Sequence, residues 1–106
     1  MDLFEAIKHR RSIRAYTRED VSEGDVEILI DAARWAPSAG NIQPWEFVIV
    51  RDARIKRQLS VAALEQTFIE EAPVVIVACV DEAQSNQGYG YRGVTLYCLQ
   101  DTAAAI

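Results

Sequence analysis

The sequence predicts a chain of mixed class, in which helices pack with strands, and three observations carry that prediction. Two short runs, Phe47-Val48-Ile49-Val50 and Val74–Val80, are apolar at consecutive positions and rich in β-branched residues, the pattern of strands covered on both faces. Other segments repeat their apolar residues at helical spacing. Prolines at positions 37, 44 and 73 separate the two kinds of element.

Taken in order, Leu3, Phe4 and Ile7 predict a short helix over residues 2–9, ending at the arginines that follow. Ser22 is placed to cap a second helix, with Asp25 at the capping-box distance. Its apolar stripe is Val26, Leu29, Ile30, Ala33 and Ala36, and Pro37 stops it. Pro44 forces Gln43 to be extended and launches the first strand at Glu46. Residues 53–71 predict one further helix, with Ile55, Leu59, Ala62, Ala63 and Phe68 on its apolar face, ended by Pro73 before the second strand. Asp81–Gly93, polar and carrying Gly88, Gly90 and Gly93, reads as a loop. Leu96, Leu99, Ala103 and Ile106 then share one face of a last helix.

That last helix has no closing signal: "DTAAAI" offers no Gly, Asn or basic residue. Two strands are also fewer than an independent sheet needs. The expectation is a fold belonging to a longer chain, or one completed by another chain.

At 106 residues the chain is at most one domain, and its content of 50% apolar and 25% charged residues is that of a globular protein. A formal net charge of −5 disfavours general nucleic-acid binding, which requires an excess of Lys and Arg. No apolar stretch approaches the roughly 20 residues of a membrane span, and Met1-Asp2-Leu3 lacks the layout of a signal peptide. Cys79 and Cys98 have no metal-ligand spacing and read as reduced thiols of a cytoplasmic protein. The single histidine, His9, cannot build a multi-histidine metal site, so no metal is expected.

Chemistry could reside in two places. Arg10, Arg11, Ser12 and Arg14 gather guanidinium and hydroxyl donors suited to a phosphate. The same residues could equally complement the C-terminal dipole of the helix before them. In "APSAGNIQPW", residues 36–45, the small Ser38, Ala39 and Gly40 let a flat ligand approach the backbone, and Asn41 offers both donor and acceptor. An ordinary helix-to-strand connection uses the same residue types. Trp35 and Trp45 bracket this loop and read as packing anchors. Gln66 lies among apolar neighbours and requires partners, while Tyr89, Tyr91 and Arg92 could gate a pocket. No nucleophile elbow, phosphate loop or dinucleotide fingerprint is present, so any reaction would be carried by a bound cofactor.

Together, "RRSIRAY", "APSAGNIQPWEFVIV" and "EEAPVVIVACV" resemble the FMN-dependent nitroreductase family in order and spacing, and "YRGVTLYCLQDTAAAI" looks like the start of that family's long central helix. The resemblance covers the family's N-terminal portion. It implies an α+β fold with a central, mainly antiparallel sheet flanked by helices, built as an intertwined homodimer with two FMN sites at the subunit interface. By position it assigns Arg10, Arg11, Ser12 and Arg14 to the flavin's phosphate, ribityl chain and pyrimidine edge. Pro37, Ser38, Ala39 and Asn41 of the other subunit would cover the ring system, and Gln66 would place its amide against the flavin. The implied activity is ping-pong transfer of two electrons from NADH or NADPH to a nitroaromatic or quinone, with no side chain acting as nucleophile or base. A non-catalytic flavin-binding module, or an inactive fragment of such an enzyme, is the alternative.

Overall fold

The computed structural model describes all 106 residues, and its elements follow from local chemistry. Helix α1 (Leu3–His9) begins at a reciprocal capping box: the Asp2 side chain accepts from the Glu5 N–H while the Glu5 side chain accepts from the Asp2 N–H. Helix α2 (Glu23–Arg34) is capped by Ser22, whose Oγ accepts from the Asp25 N–H at 3.1 Å. A single 3₁₀ turn (Ala39–Asn41) leads into strand β1 (Trp45–Val50).

Helices α3 (Ala53–Ala62) and α4 (Phe68–Glu71) precede strand β2 (Val75–Val80). The two strands pair antiparallel, from Trp45 opposite Val80 to Val50 opposite Val75. Helix α5 (Glu82–Arg92), a π-helical turn (Gly93–Tyr97) and helix α6 (Cys98–Ala105) follow, and α6 lies against both strands. The small core comprises Val26, Trp45, Val50, Ala72, Cys98 and Ala105.

Several expectations are corrected. The predicted helix over 53–71 is two helices. One continuous helix of that length would carry the chain about 28 Å away, whereas β2 must begin beside the end of β1. The break comes at Leu64 and Glu65, both left-handed with φ of 64° and 58°. Hydrogen bonds from Ser60 Oγ to the Gln66 carbonyl (2.7 Å) and from Gln66 Nε2 to the Ala63 carbonyl (2.8 Å) hold the turn.

The predicted loop over Asp81–Gly93 is largely helix, started by the Asp81 side chain accepting from the Gln84 N–H at 3.2 Å. Its glycines permit close approach: a Cβ on Gly93 would lie 2.2 Å from the Ser85 carbonyl oxygen.

The strands are not covered on both faces. Trp45 and Val50 are buried, Phe47 is half-buried, and Val48 and Ile49 are exposed. Trp45 is a packing anchor as expected, but Trp35 is 83% exposed.

The last helix has the predicted period, and the predicted apolar face is the outward one. Cys98, Asp101, Thr102 and Ala105 are buried, while Leu96, Leu99 and Ile106 face outward. Helix α1 likewise buries none of its apolar residues. The Cα radius of gyration is 15.5 Å, above the roughly 13 Å of a compact chain of this length. These apolar surfaces are therefore open within a single copy of the chain. No helix is long and apolar enough to cross a membrane.

Candidate functional site

The arginine segment follows α1 without regular structure, as its dihedral angles leave the helix at Arg10 (φ −55°, ψ 134°). Arg10 and Ser12 are exposed, and no side-chain hydrogen bond within the chain engages them. Arg11 turns back on α1, its Nη1 donating to the Lys8 carbonyl at 3.0 Å and the Arg10 carbonyl at 2.8 Å. This is the helix-end role considered from sequence. Its Nε and second terminal nitrogen remain free for another acceptor. Arg14 stands over the Phe68 ring at 6.0 Å from its centroid, and the Tyr16 ring packs on the same phenylalanine at 6.3 Å. The fold thus brings Arg14 close to the turn that carries Gln66. The Gln66 side chain itself is exposed and folded onto its own turn.

The loop after α2 is held differently. Ser38 is extended (φ −145°, ψ 153°), and its Oγ accepts from the Gln43 N–H at 3.0 Å. That bond uses an oxygen lone pair, so the hydroxyl proton stays available to a ligand. Gly40, Asn41 and Gln43 all have positive φ, at 59°, 56° and 55°. Two of these are not glycine, so the turn stores conformational strain. The Asn41 side chain is exposed and forms no hydrogen bond inside the chain, while Pro37 marks the exit from α2.

Two residues given little or no weight in the sequence hold this loop. Asp101, buried on α6, accepts the Ala39 N–H through Oδ1 at 3.1 Å. Tyr89 of α5 crowds Gly40, where a Cβ would lie 2.6 Å from the phenolic oxygen, and Tyr89 is itself fixed edge-on against Tyr97 with centroids 5.0 Å apart. The available signal for Asp101 was a lone acid inside the otherwise small and apolar run "LQDTAAAI". Tyr89 was noted only as a residue that could gate a pocket, because its neighbouring glycines suggested a loop.

No hydrogen bond or ion pair links the arginine segment to the 37–41 loop within one chain. A cavity of about 640 Å³ lies elsewhere, between α2, the sheet and the end of α6. It is lined only by apolar residues such as Leu29, Trp35, Phe47 and Ile106. It contains no charged side chain and none of the candidate residues. The candidate site is therefore two separate half-sites: a cationic one at residues 10–14 and a small-residue one at 37–41.

A family model described as the Nitroreductase family matches residues 7–104, a span that contains both half-sites. The chain is 48% identical over 81 residues to an NADH dehydrogenase of Thermus thermophilus, covering 76% of this chain and 40% of that protein. It is 34% identical over 80 residues to an FMN reductase [NAD(P)H] of Bacillus subtilis, covering 76% of this chain and 32% of the relative. Among solved structures, NfrA2 of B. megaterium superposes with a TM-score of 0.84 at 27% identity, over 96% of this chain and 46% of the other. The chain thus spans between one third and one half of the length of these proteins.

Proposed function

This chain belongs to the nitroreductase family and has its α+β fold, and from that premise we propose that it forms part of an NAD(P)H-dependent flavin oxidoreductase that binds FMN between two copies. The observation that carries the proposal is the donor set of Arg10, Ser12 and Arg14, free of any internal ion pair in a chain of net charge −5.

The residues present fit the cofactor on chemical grounds. A flavin mononucleotide combines a dianionic phosphate, a polyhydroxylated chain and a planar ring with polar edges. Guanidinium forks and a serine hydroxyl match the first two. The flat, small-residue turn with the free Asn41 amide and Ser38 proton matches the third.

Bound FMN would supply the two-electron chemistry that no side chain here can perform. Arg10, Ser12 and the free nitrogens of Arg11 would hold the phosphate and ribityl chain. That contributes affinity equally in both redox states. Arg14 would lie at the pyrimidine edge, where its charge favours the electron-rich state. Pro37, Ser38, Ala39 and Asn41 of the second copy would cover the ring and exclude water, and the Gln66 amide would turn toward the ring edge. The open apolar surfaces of α1 and α6 suit the homodimer that this arrangement requires. Residues 1–106 would then be one portion of a single domain.

NADH or NADPH would be the donor. A nitroaromatic or quinone would be the acceptor, in a ping-pong sequence that uses one face of the cofactor twice. The two free cysteines accord with a cytoplasmic location.

The test is a visible spectrum of the purified protein after incubation with FMN and gel filtration. Retained flavin absorption, bleached by NADH or NADPH under anaerobic conditions, is the expected result. A protein that stays colourless overturns the proposal. One that binds FMN but is not bleached restricts it to a flavin-binding module.

A further inference from the structure

We propose that Asp101 is a positioning residue for the cofactor loop: its carboxylate, gripping the Ala39 N–H from 62 positions away, sets the geometry in which Ser38 and Asn41 meet the flavin. The inference rests on the reading of residues 37–41 as part of an FMN site and adds to it a residue outside either half-site.

Asp101 is 8% exposed, yet it pairs with no cation. A carboxylate withdrawn from water without a counter-ion is unfavourable unless its hydrogen bonds compensate, and a backbone N–H donating to an ionised oxygen is a strong one. The bond joins α6 to a turn with an intrinsic tendency to relax, since Gly40, Asn41 and Gln43 all sit in the left-handed region. The hydrogen bond that Ser38 Oγ accepts from the Gln43 N–H closes the turn on itself and cannot place it relative to the rest of the fold, and Tyr89 meets Gly40 by packing alone. Thr102, next to Asp101 and also buried, makes no hydrogen bond through its Oγ1. Asp101 is thus the one polar link from α6 to the loop. With the Ala39 N–H occupied, the Ser38 hydroxyl, the Gly40 N–H and the Asn41 side-chain amide are left as the loop's uncommitted donors.

The experiment compares Asp101→Ala, Asp101→Asn and Ala39→Pro in the purified protein. It measures FMN affinity by fluorescence quenching and exchange of the Ala39 amide by NMR. Asparagine keeps an acceptor oxygen and removes the charge. Proline at 39 deletes the donor while suiting the backbone, because Ser38 is already extended and position 39 opens the turn.

Asp101→Ala should lose Ala39 protection and about tenfold in FMN affinity. Asp101→Asn should keep the protection and stay within about threefold. Ala39→Pro should match Asp101→Ala, and the two changes together should cost no more than either alone.

Unchanged affinity in Asp101→Ala, or equal losses in Asp101→Ala and Asp101→Asn, overturns the proposal. So does a wild-type Ala39 amide that exchanges as fast as the exposed Gly40 amide. If Asp101→Ala does not fold, Ala39→Pro decides, with undiminished affinity counting against. Failure of the unsubstituted protein to take up FMN overturns both this inference and the flavin reading. Failure of Asp101 alone leaves that protein yellow.

Discussion

The two half-sites carry comparable chemistry and are built in opposite ways. Residues 37–41 are restrained from three directions, by Ser38 within the turn, by Tyr89 of α5 and by Asp101 of α6. Residues 10–14 have no such frame. Arg10 and Ser12 are free, and Arg14 rests on Phe68. The difference suits the roles proposed for them. A turn that approaches a flat ring must hold its backbone to within a fraction of an ångström, so its strain must be over-determined by neighbours. A long cationic side chain that meets a phosphate can adjust on binding, at the cost of rotamer entropy. Rigidity is invested where the contact is backbone, and mobility is tolerated where it is charge.

This contrast can be broken at its strongest point first. Gly93 opens the π-helical turn that joins α5 and α6, the two helices that hold the loop, and a methyl there meets the backbone of Ser85 on α5 rather than a movable side chain. Gly93→Ala should destabilise the protein by about 3 kcal/mol and lower the thermal midpoint, read by circular dichroism. An unchanged midpoint would mean that the helix pair is not the rigid frame described.

Arg10→Ala tests the other half-site. Since the side chain has no partner within the chain, the midpoint should not move, whereas FMN affinity should fall about tenfold. An equilibrium titration that finds affinity unaltered removes Arg10 from the phosphate contact.

The smallest effect sharpens the comparison within the arginine segment itself. Arg11 already serves the end of α1, so Arg11→Ala should cost about 0.5 kcal/mol of stability and less affinity than Arg10→Ala. A loss equal to that of Arg10→Ala would show that the helix-end contact gives way to the ligand.

Much of this was legible in the residues. The Ser22 cap, the stop at Pro37, the strand after Pro44 and the continuous apolar run of β2 are local rules that the fold obeys, whereas Gln43, expected extended before Pro44, is left-handed at φ 55° where its N–H closes the turn on Ser38 Oγ. Both half-sites were also visible, because clustered guanidinium groups and a Ser-Ala-Gly-Asn turn are local patterns. What was not legible depended on neighbours remote in sequence. The glycines before α6 looked like a loop because their use as contact surfaces requires Ser85 to lie opposite Gly93. Trp35 looked like a core residue because its size argues for burial, yet no part of this chain covers it. Which face of α6 is buried was not legible for a related reason: the buried residues are its small and polar ones, Cys98, Asp101, Thr102 and Ala105.

By itself, the sequence determined the kinds of element and the residue types offered to a cofactor, since these rest on periodicity, capping and side-chain chemistry read a few positions at a time, while the family rested on the resemblance of its motifs. Only the tertiary structure decided that the chain reverses at Leu64 and Glu65, that α6 turns Asp101 inward, and that this carboxylate closes on Ala39. The physical reason is range. Local propensities act over about one turn of helix, whereas the bond that holds the loop joins residues that are neighbours only once the sheet has formed between them.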